Sequence, residues 1–173
     1  MTLCAKALLL VAALGLAACN NPDRFGNGGA GDPGANGGFV DTTGLGDPSN
    51  PASIAYFNQT VGDRVLFAVD QSNLSDQGRS VLAGQAQWLK TNSGYAIIIE
   101  GHADEQGTRE YNLALGARRA SAVQDYLISQ GVPSSRMRTV SYGKERPIEI
   151  CSDEACYSQN RRAVTVLSIG AGV

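Results

Sequence analysis

Two side chains of opposite charge, Asp104 and Arg119, belong to the most informative stretch of this 173-residue chain, residues 100–127. The stretch leaves an apolar run (Ala96, Ile97, Ile98, Ile99), crosses a polar loop and enters an amphipathic helix. The loop supplies the carboxylate of Asp104 and the helix supplies the guanidinium of Arg119. Arg119 follows Asn112 by seven residues, close to two helical turns, so both lie on one side of the helix. A carboxylate beside an arginine fork is a receptor for a small zwitterion, each group holding its opposite through charge-assisted hydrogen bonds. A structural ion pair is the competing account, because ion-pair networks produce the same constellation.

The elements that must position these groups follow from periodicity. Leu113, Gly116, Ala120, Val123 and Leu127 recur three and four residues apart, an apolar stripe that must face a sheet. Asn112, Leu115 and Arg119 lie about a quarter turn aside, which predicts Arg119 at the margin of the buried face and Arg118 in solvent. Strands are expected at 64–69, 95–101, 138–142 and 163–169. Helices are expected after Ser75, a good cap, over about 109–130, where Gly131, Val132 and Pro133 stop the helix, and near Asp153. The first of these carries Val81, Leu82, Trp88 and Leu89 on its apolar face. The order β-α-β-α-β-α-β implies a two-layer α/β sandwich, with helices on one face of a mixed four-stranded sheet.

Several function classes are disfavoured by composition. The formal net charge is −2, and no basic patch interleaves with aromatics, so nothing favours nucleic acid. A single histidine, His102, provides no multi-histidine zinc site, and the C-x4-C spacing of Cys151 and Cys156 is not a zinc motif. No cofactor or metal is expected. Asp104 and Glu105 are adjacent in a loop and poorly placed to flank one scissile bond. An enzyme is therefore the weaker alternative, and His102 reads as a structural hydrogen-bonding residue beside the pocket.

The amino terminus fixes a compartment. Lys6 precedes an apolar run at 7–13, too short to span a membrane, and the ending Leu16, Ala17, Ala18, Cys19 resembles a bacterial lipobox. Residues 1–18 read as a signal peptide and Cys19 as the lipidated first mature residue, with Asn20 compatible with sorting to the outer membrane. Residues 19–55 are rich in Gly, Asn and Pro and read as a flexible tether, with an extended reach on the order of 120 Å and a relaxed span of roughly 30–35 Å. Residues 56–173 read as the folded domain. In an oxidising compartment Cys151 and Cys156 are expected to form a local disulfide.

The chain also carries a set of ordered motifs: GHADE at 101–105, GT at 107–108, YN at 111–112, RRA at 118–120, SYGKERP at 141–147 and NRRA at 160–163. With these it resembles the OmpA-like domain family, in particular its lipid-anchored, peptidoglycan-associated members, over residues 63–169. The family pattern N-x-x-L-S-x-x-R-A falls on Asn112, Leu115, Gly116, Arg119 and Ala120, with Gly116 in place of Ser. The resemblance implies that Asp104 and Arg119 hold the diaminopimelate of a peptidoglycan stem peptide, with Asn112, Thr108, Leu115 and Asp70 around it. Where those members read FDFDS, this chain reads Phe67, Ala68, Val69, Asp70, Gln71, retaining the first Phe and, of the two acidic positions, only the second. The resemblance further implies an outer-membrane location facing the periplasm, a place in the Tol–Pal system with TolB and TolA as partners, and a part in envelope constriction at division. A wall-binding lipoprotein outside that system is the nearest alternative, and a peptidoglycan hydrolase is the alternative from another class.

Overall fold

The computed structural model describes residues 44–150 and 152–169. The signal peptide, Cys19, most of the expected tether and Cys151 lie outside the described residues. The order of elements is α1 (Ile54–Tyr56), a π-helical turn (Phe57–Gly62), β1 (Arg64–Leu66), α2 (Asp76–Thr91), β2 (Tyr95–His102), α3 (Arg109–Ser129), a 3-10 turn (Ser134–Arg136), β3 (Met137–Gly143), α4 (Glu154–Asn160) and β4 (Arg162–Ile169). The four strands form one mixed sheet in the order β1-β4-β2-β3. β2 runs parallel to β3 and antiparallel to β4, and β4 runs antiparallel to β1.

This is the two-layer α/β arrangement expected from the alternation of periodicities. Ile97 and Ile99 on β2, with Ala163 and Leu167 on β4, are buried in one core with Leu82, Ala86 and Leu89 of α2 and Ala120, Val123 and Leu127 of α3. The alternate residues Ile98, Glu100, Val164 and Val166 occupy the other face and are half-buried or exposed, as a period of two requires. Each long helix begins on a side-chain cap. Ser75 accepts from the backbone N–H of Gly78 (3.1 Å) and Thr108 from that of Tyr111 (3.2 Å). Asp153 does the same for Cys156 at the start of α4 (3.0 Å), satisfying donors that the first turn leaves free. Helix α3 stops where Gly131 takes φ +91° ahead of Pro133.

Helix α3 lies very close to the sheet at two glycines. A Cβ on Gly101 would sit 1.8 Å from the carbonyl oxygen of Gly116, and one on Gly116 would sit 2.4 Å from Ser141 Oγ. That hydroxyl already donates to the Leu113 carbonyl (2.7 Å). The space a serine at 116 would need is occupied from the sheet side, which accounts physically for glycine at this place.

Two expectations are corrected. The domain does not begin at 56. Trp88 Nε1 donates to the Pro51 carbonyl (2.7 Å) and the Tyr95 hydroxyl to that of Ala52 (2.8 Å). Ser53 is fully buried, with its hydroxyl donating to the Asp47 carbonyl (2.6 Å) and accepting from the Tyr56 N–H (2.9 Å). Leu45 and Ile54 pack on the core. The reason is that a buried Trp or Tyr needs a partner for its polar atom, and this segment's carbonyls supply it. A chain starting at 56 is therefore expected to be less stable than one starting at 44 by about 2 kcal/mol or more, one unmet donor at each ring, as measured by urea melts of the two truncations. The second correction is β1, which is shorter than 64–69. The Phe67 N–H still pairs with the Arg161 carbonyl (2.8 Å), but the chain then turns and Asp70 adopts φ +56°. Asp tolerates that left-handed region better than most residues.

Candidate functional site

The C-terminal end of β2 delivers His102, Ala103 and Asp104 to a loop that crosses to the N-terminus of α3. Three contacts hold that loop. Asn112, 1 % exposed, donates from Nδ2 to the Gln106 carbonyl (2.7 Å). Lys144 donates from Nζ to the carbonyls of Gly107 (2.7 Å) and Glu105 (3.3 Å). The Thr108 cap closes the third side. Asn112 and Thr108, both expected at the site, thus have their polar atoms engaged in shaping the loop. Leu115, also expected there, is 3 % exposed on the buried side of α3.

Asp104 is 8 % exposed. Its Oδ1 accepts from the Gln106 N–H (3.3 Å) and its Oδ2 from Arg161 Nη1 (3.1 Å). Arg161 is 4 % exposed and also donates from Nε to the Phe67 carbonyl (3.2 Å) and from both terminal nitrogens to Glu154. Burial works against its charge, but the two carboxylates outweigh burial and raise its pKa.

Arg119 is where spacing alone misleads. It was expected at the margin of the helix's buried face, and it is wholly buried. Its Nε donates to the Gln71 carbonyl (2.8 Å), Nη1 to that of His102 (2.7 Å) and Nη2 to that of Ala68 (3.1 Å). Its guanidinium carbon lies 5.2 Å from the centroid of the Phe67 ring. Three of the five N–H donors of a guanidinium are thus committed to main chain. Burial lowers its pKa to about 10, with Asp104 and Asp70 acting the other way, so it remains a cation at neutral pH. Asp70 is exposed and accepts from the Tyr111 hydroxyl (3.2 Å). Tyr111 is 43 % exposed.

Asp104, Asp70 and Arg161 are therefore brought within electrostatic reach of Arg119, with Tyr111 and the loop 105–108 around them. Such a cluster can bind a ligand carrying both an ammonium and a carboxylate. Among the described residues no group of three or more His, Cys, Asp or Glu side chains could hold a metal ion. A cleft between β1 and the start of α2, lined by Arg64, Leu66, Gln77, Val81 and Gln159, shares no residue with this cluster. Arg161, Glu154, Tyr111 and Lys144 were not singled out as site residues from the sequence. Arg161, Tyr111 and Lys144 lie inside motifs quoted above, but nothing in their spacing marks the contacts they make.

His102 is also corrected. Its ring, 1 % exposed, makes no hydrogen bond, and its functional contact is the backbone carbonyl that accepts from Arg119. Glu100 Oε2 is 3.6 Å from Nε2, too long for a hydrogen bond. Burial, with help from Arg162 and Arg146, lowers the imidazole pKa to about 4, so the ring is neutral at pH 7 and the contact is no ion pair. The unfolded chain takes up this proton as the pH falls through about 6.5 and the folded chain only near 4. Stability from this source is complete above 6.5 and is lost as the pH falls from there to 4. Between pH 6.5 and 5 the loss is expected to be about 2 kcal/mol. Urea melts over that range should show the slope in the wild type and a much flatter one in His102→Phe.

Cys156 is buried and disulfide-bonded.

Comparison with known proteins places this architecture. The OmpA family pattern matches residues 66–161. The chain is 52 % identical over 165 residues to the peptidoglycan-associated lipoprotein of Mesorhizobium japonicum, covering 95 % of this chain and 92 % of that protein. It is 43 % identical over 164 residues to the protein of the same name from Pseudomonas aeruginosa, covering 91 % of each. The crystal structure of the peptidoglycan-associated lipoprotein from Burkholderia pseudomallei superposes with a TM-score of 0.63 at 41 % identity, covering 72 % of this chain and 98 % of that one. The C-terminal domain of Helicobacter pylori MotB shares the fold, with a TM-score of 0.58 at 22 % identity, covering 63 % of this chain and 86 % of that one. The chain belongs to the OmpA family, within its group of peptidoglycan-associated lipoproteins.

Proposed function

We propose that this chain is an outer-membrane lipoprotein, anchored through acyl chains on Cys19 and facing the periplasm, that binds peptidoglycan without a covalent bond. The ligand is the side-chain end of meso-diaminopimelate in an uncross-linked stem peptide, which carries one ammonium and one carboxylate. The observation that carries this reading is the ion pair of Asp104 with Arg161 at the end of β2, set near enough to the buried guanidinium of Arg119 for the Asp104 charge to act on it. Asp104 takes the ammonium, with Asp70 and Tyr111 at the rim. The carboxylate is drawn to Arg119, two of whose N–H donors are not committed to the three carbonyls. Anchor, residues 20–43 and wall-binding domain together would tether the outer membrane to the wall.

Membership in the Tol–Pal system, with TolB and TolA as partners and a role in constriction at division, is part of the same proposal and rests on the family alone. A disulfide from Cys156 to Cys151 is likewise proposed, and it would hold the strap that joins β3 to α4. Purified sacculi test the central reading. The chain should co-sediment with sacculi whose stem peptides contain diaminopimelate and stay in solution with sacculi that contain lysine at that place, since lysine lacks the carboxylate. Equal sedimentation with both would overturn it.

A further inference from the structure

One guanidinium serves two carboxylates at this site, and only one of them belongs to the proposed ligand pocket. Arg161 Nη1 donates to Asp104 Oδ2 (3.1 Å) and to Glu154 Oε2 (3.3 Å), and Nη2 donates to Glu154 Oε1. The guanidinium is almost wholly buried, with 5 % of its side chain exposed, and so is that of Asp104 at 11 %, whereas the Glu154 side chain is 66 % exposed. Glu154 opens helix α4, whose cap is the neighbouring Asp153 and whose last residue, Asn160, directly precedes Arg161. Short helix α4 therefore returns the chain from one ion-pair partner to the other. Asn160, fully buried, fixes this return by accepting from the N–H groups of Ile148 (2.9 Å) and Glu149 (3.2 Å) and donating to Glu105 Oε1 (2.8 Å).

We infer that Glu154 is a positioning residue that keeps Asp104 available to a cationic ligand by neutralising Arg161 in its place. This rests on the reading of Asp104 as the ammonium partner. An arriving ammonium must compete with Arg161 for Asp104. If Asp104 were the sole counterion of Arg161, its transfer to the ligand would leave a buried guanidinium unpaired, a costly outcome. With Glu154 in contact the guanidinium stays paired through the exchange, and Asp104 can turn to the ligand. Glu154 touches no part of the ligand itself, and its effect is confined to ligands that bring a positive charge to Asp104.

That restriction supplies the test. The full chain and its Glu154→Gln and Glu154→Asp variants are titrated with L-alanyl-γ-D-glutamyl-meso-diaminopimelate and with the same peptide acetylated on the side-chain ammonium, with thermal melts as a control. The wild type should prefer the free amine. Glu154→Gln should bind the amine peptide at least about tenfold more weakly, a loss of roughly 1.4 kcal/mol, and the acetylated peptide within about twofold of the wild type. Glu154→Asp, which keeps the charge, should recover most of the loss. Glu154→Gln binding the amine peptide as the wild type does, or losing both peptides equally, overturns the inference. A wild type that binds both peptides equally shows instead that Asp104 does not take the ammonium, and the reading beneath the inference falls with it.

Discussion

Arg119→Ala is expected to lower the stability of the domain by about 4 kcal/mol and to remove wall binding with it. The substitution takes the guanidinium's hydrogen bonds from the carbonyls of Gln71 and His102, and from that of Ala68, which keeps only the Gln71 N–H. Each buried acceptor left without a donor costs about 1–3 kcal/mol, reduced where water can enter. It also empties the space beneath Phe67 and releases the segment from Phe67 to Gln71, the turn that presents Asp70. Arg119→Lys should recover only part of this, because one ammonium cannot reach three carbonyls set around a planar fork. Urea melts give the stability, and binding is to be read well below the melting temperature so that affinity is compared between folded proteins. A wild-type melt for Arg119→Ala would show that the three carbonyls do not depend on it.

Asp104→Ala separates binding from folding more cleanly. Arg161 retains Glu154 and the Phe67 carbonyl when Asp104 is removed, and the loop keeps its clasps to Asn112 and Lys144. The expected cost to the fold is about 1 kcal/mol, one hydrogen-bonded contact to a charged group offset by relief of its desolvation. The expected cost to binding is on the order of 2–5 kcal/mol, because the ligand's ammonium is left without its counter-charge in a desolvated site. That is a loss of roughly thirtyfold to several thousandfold in affinity, measurable against Arg118→Ala, whose exposed side chain leaves binding unchanged. Asp104→Ala that still bound as the wild type would remove the carboxylate from the mechanism.

The sheet and the three longer helices were legible because their signals are local. Three consecutive isoleucines in β2, a serine cap before α2, an aspartate cap before α4 and Gly131 after α3 each act within a few residues. What the sequence concealed depends on backbone groups that carry no letter. Pro51 and Ala52 belong to the domain because their carbonyls answer the ring donors of Trp88 and Tyr95, some forty residues away. Residues 44–55 read as tether by composition, and composition says nothing about which carbonyls are used. Arg119 shows the same limit. Helical spacing gives the direction of a side chain, but its depth is decided by three carbonyls from two other segments.

Of the candidate site, the sequence shows two charges and conceals what connects them. Asp104 stands out because it follows a strand end, and Arg119 because it borders an apolar stripe. Arg161 and Glu154 lie seven residues apart around a short helix, and their link to Asp104 crosses 57 residues of chain. No periodicity carries such a contact.

The most direct test of the account is a calorimetric titration of the domain with two muropeptides that differ only at the third residue of the stem, meso-diaminopimelate in one and lysine in the other. If Asp104 takes the ammonium and Arg119 the carboxylate, the diaminopimelate peptide should bind at least about thirtyfold more tightly, a difference of roughly 2 kcal/mol for one unpaired buried charge. Equal affinity for the two peptides would contradict it.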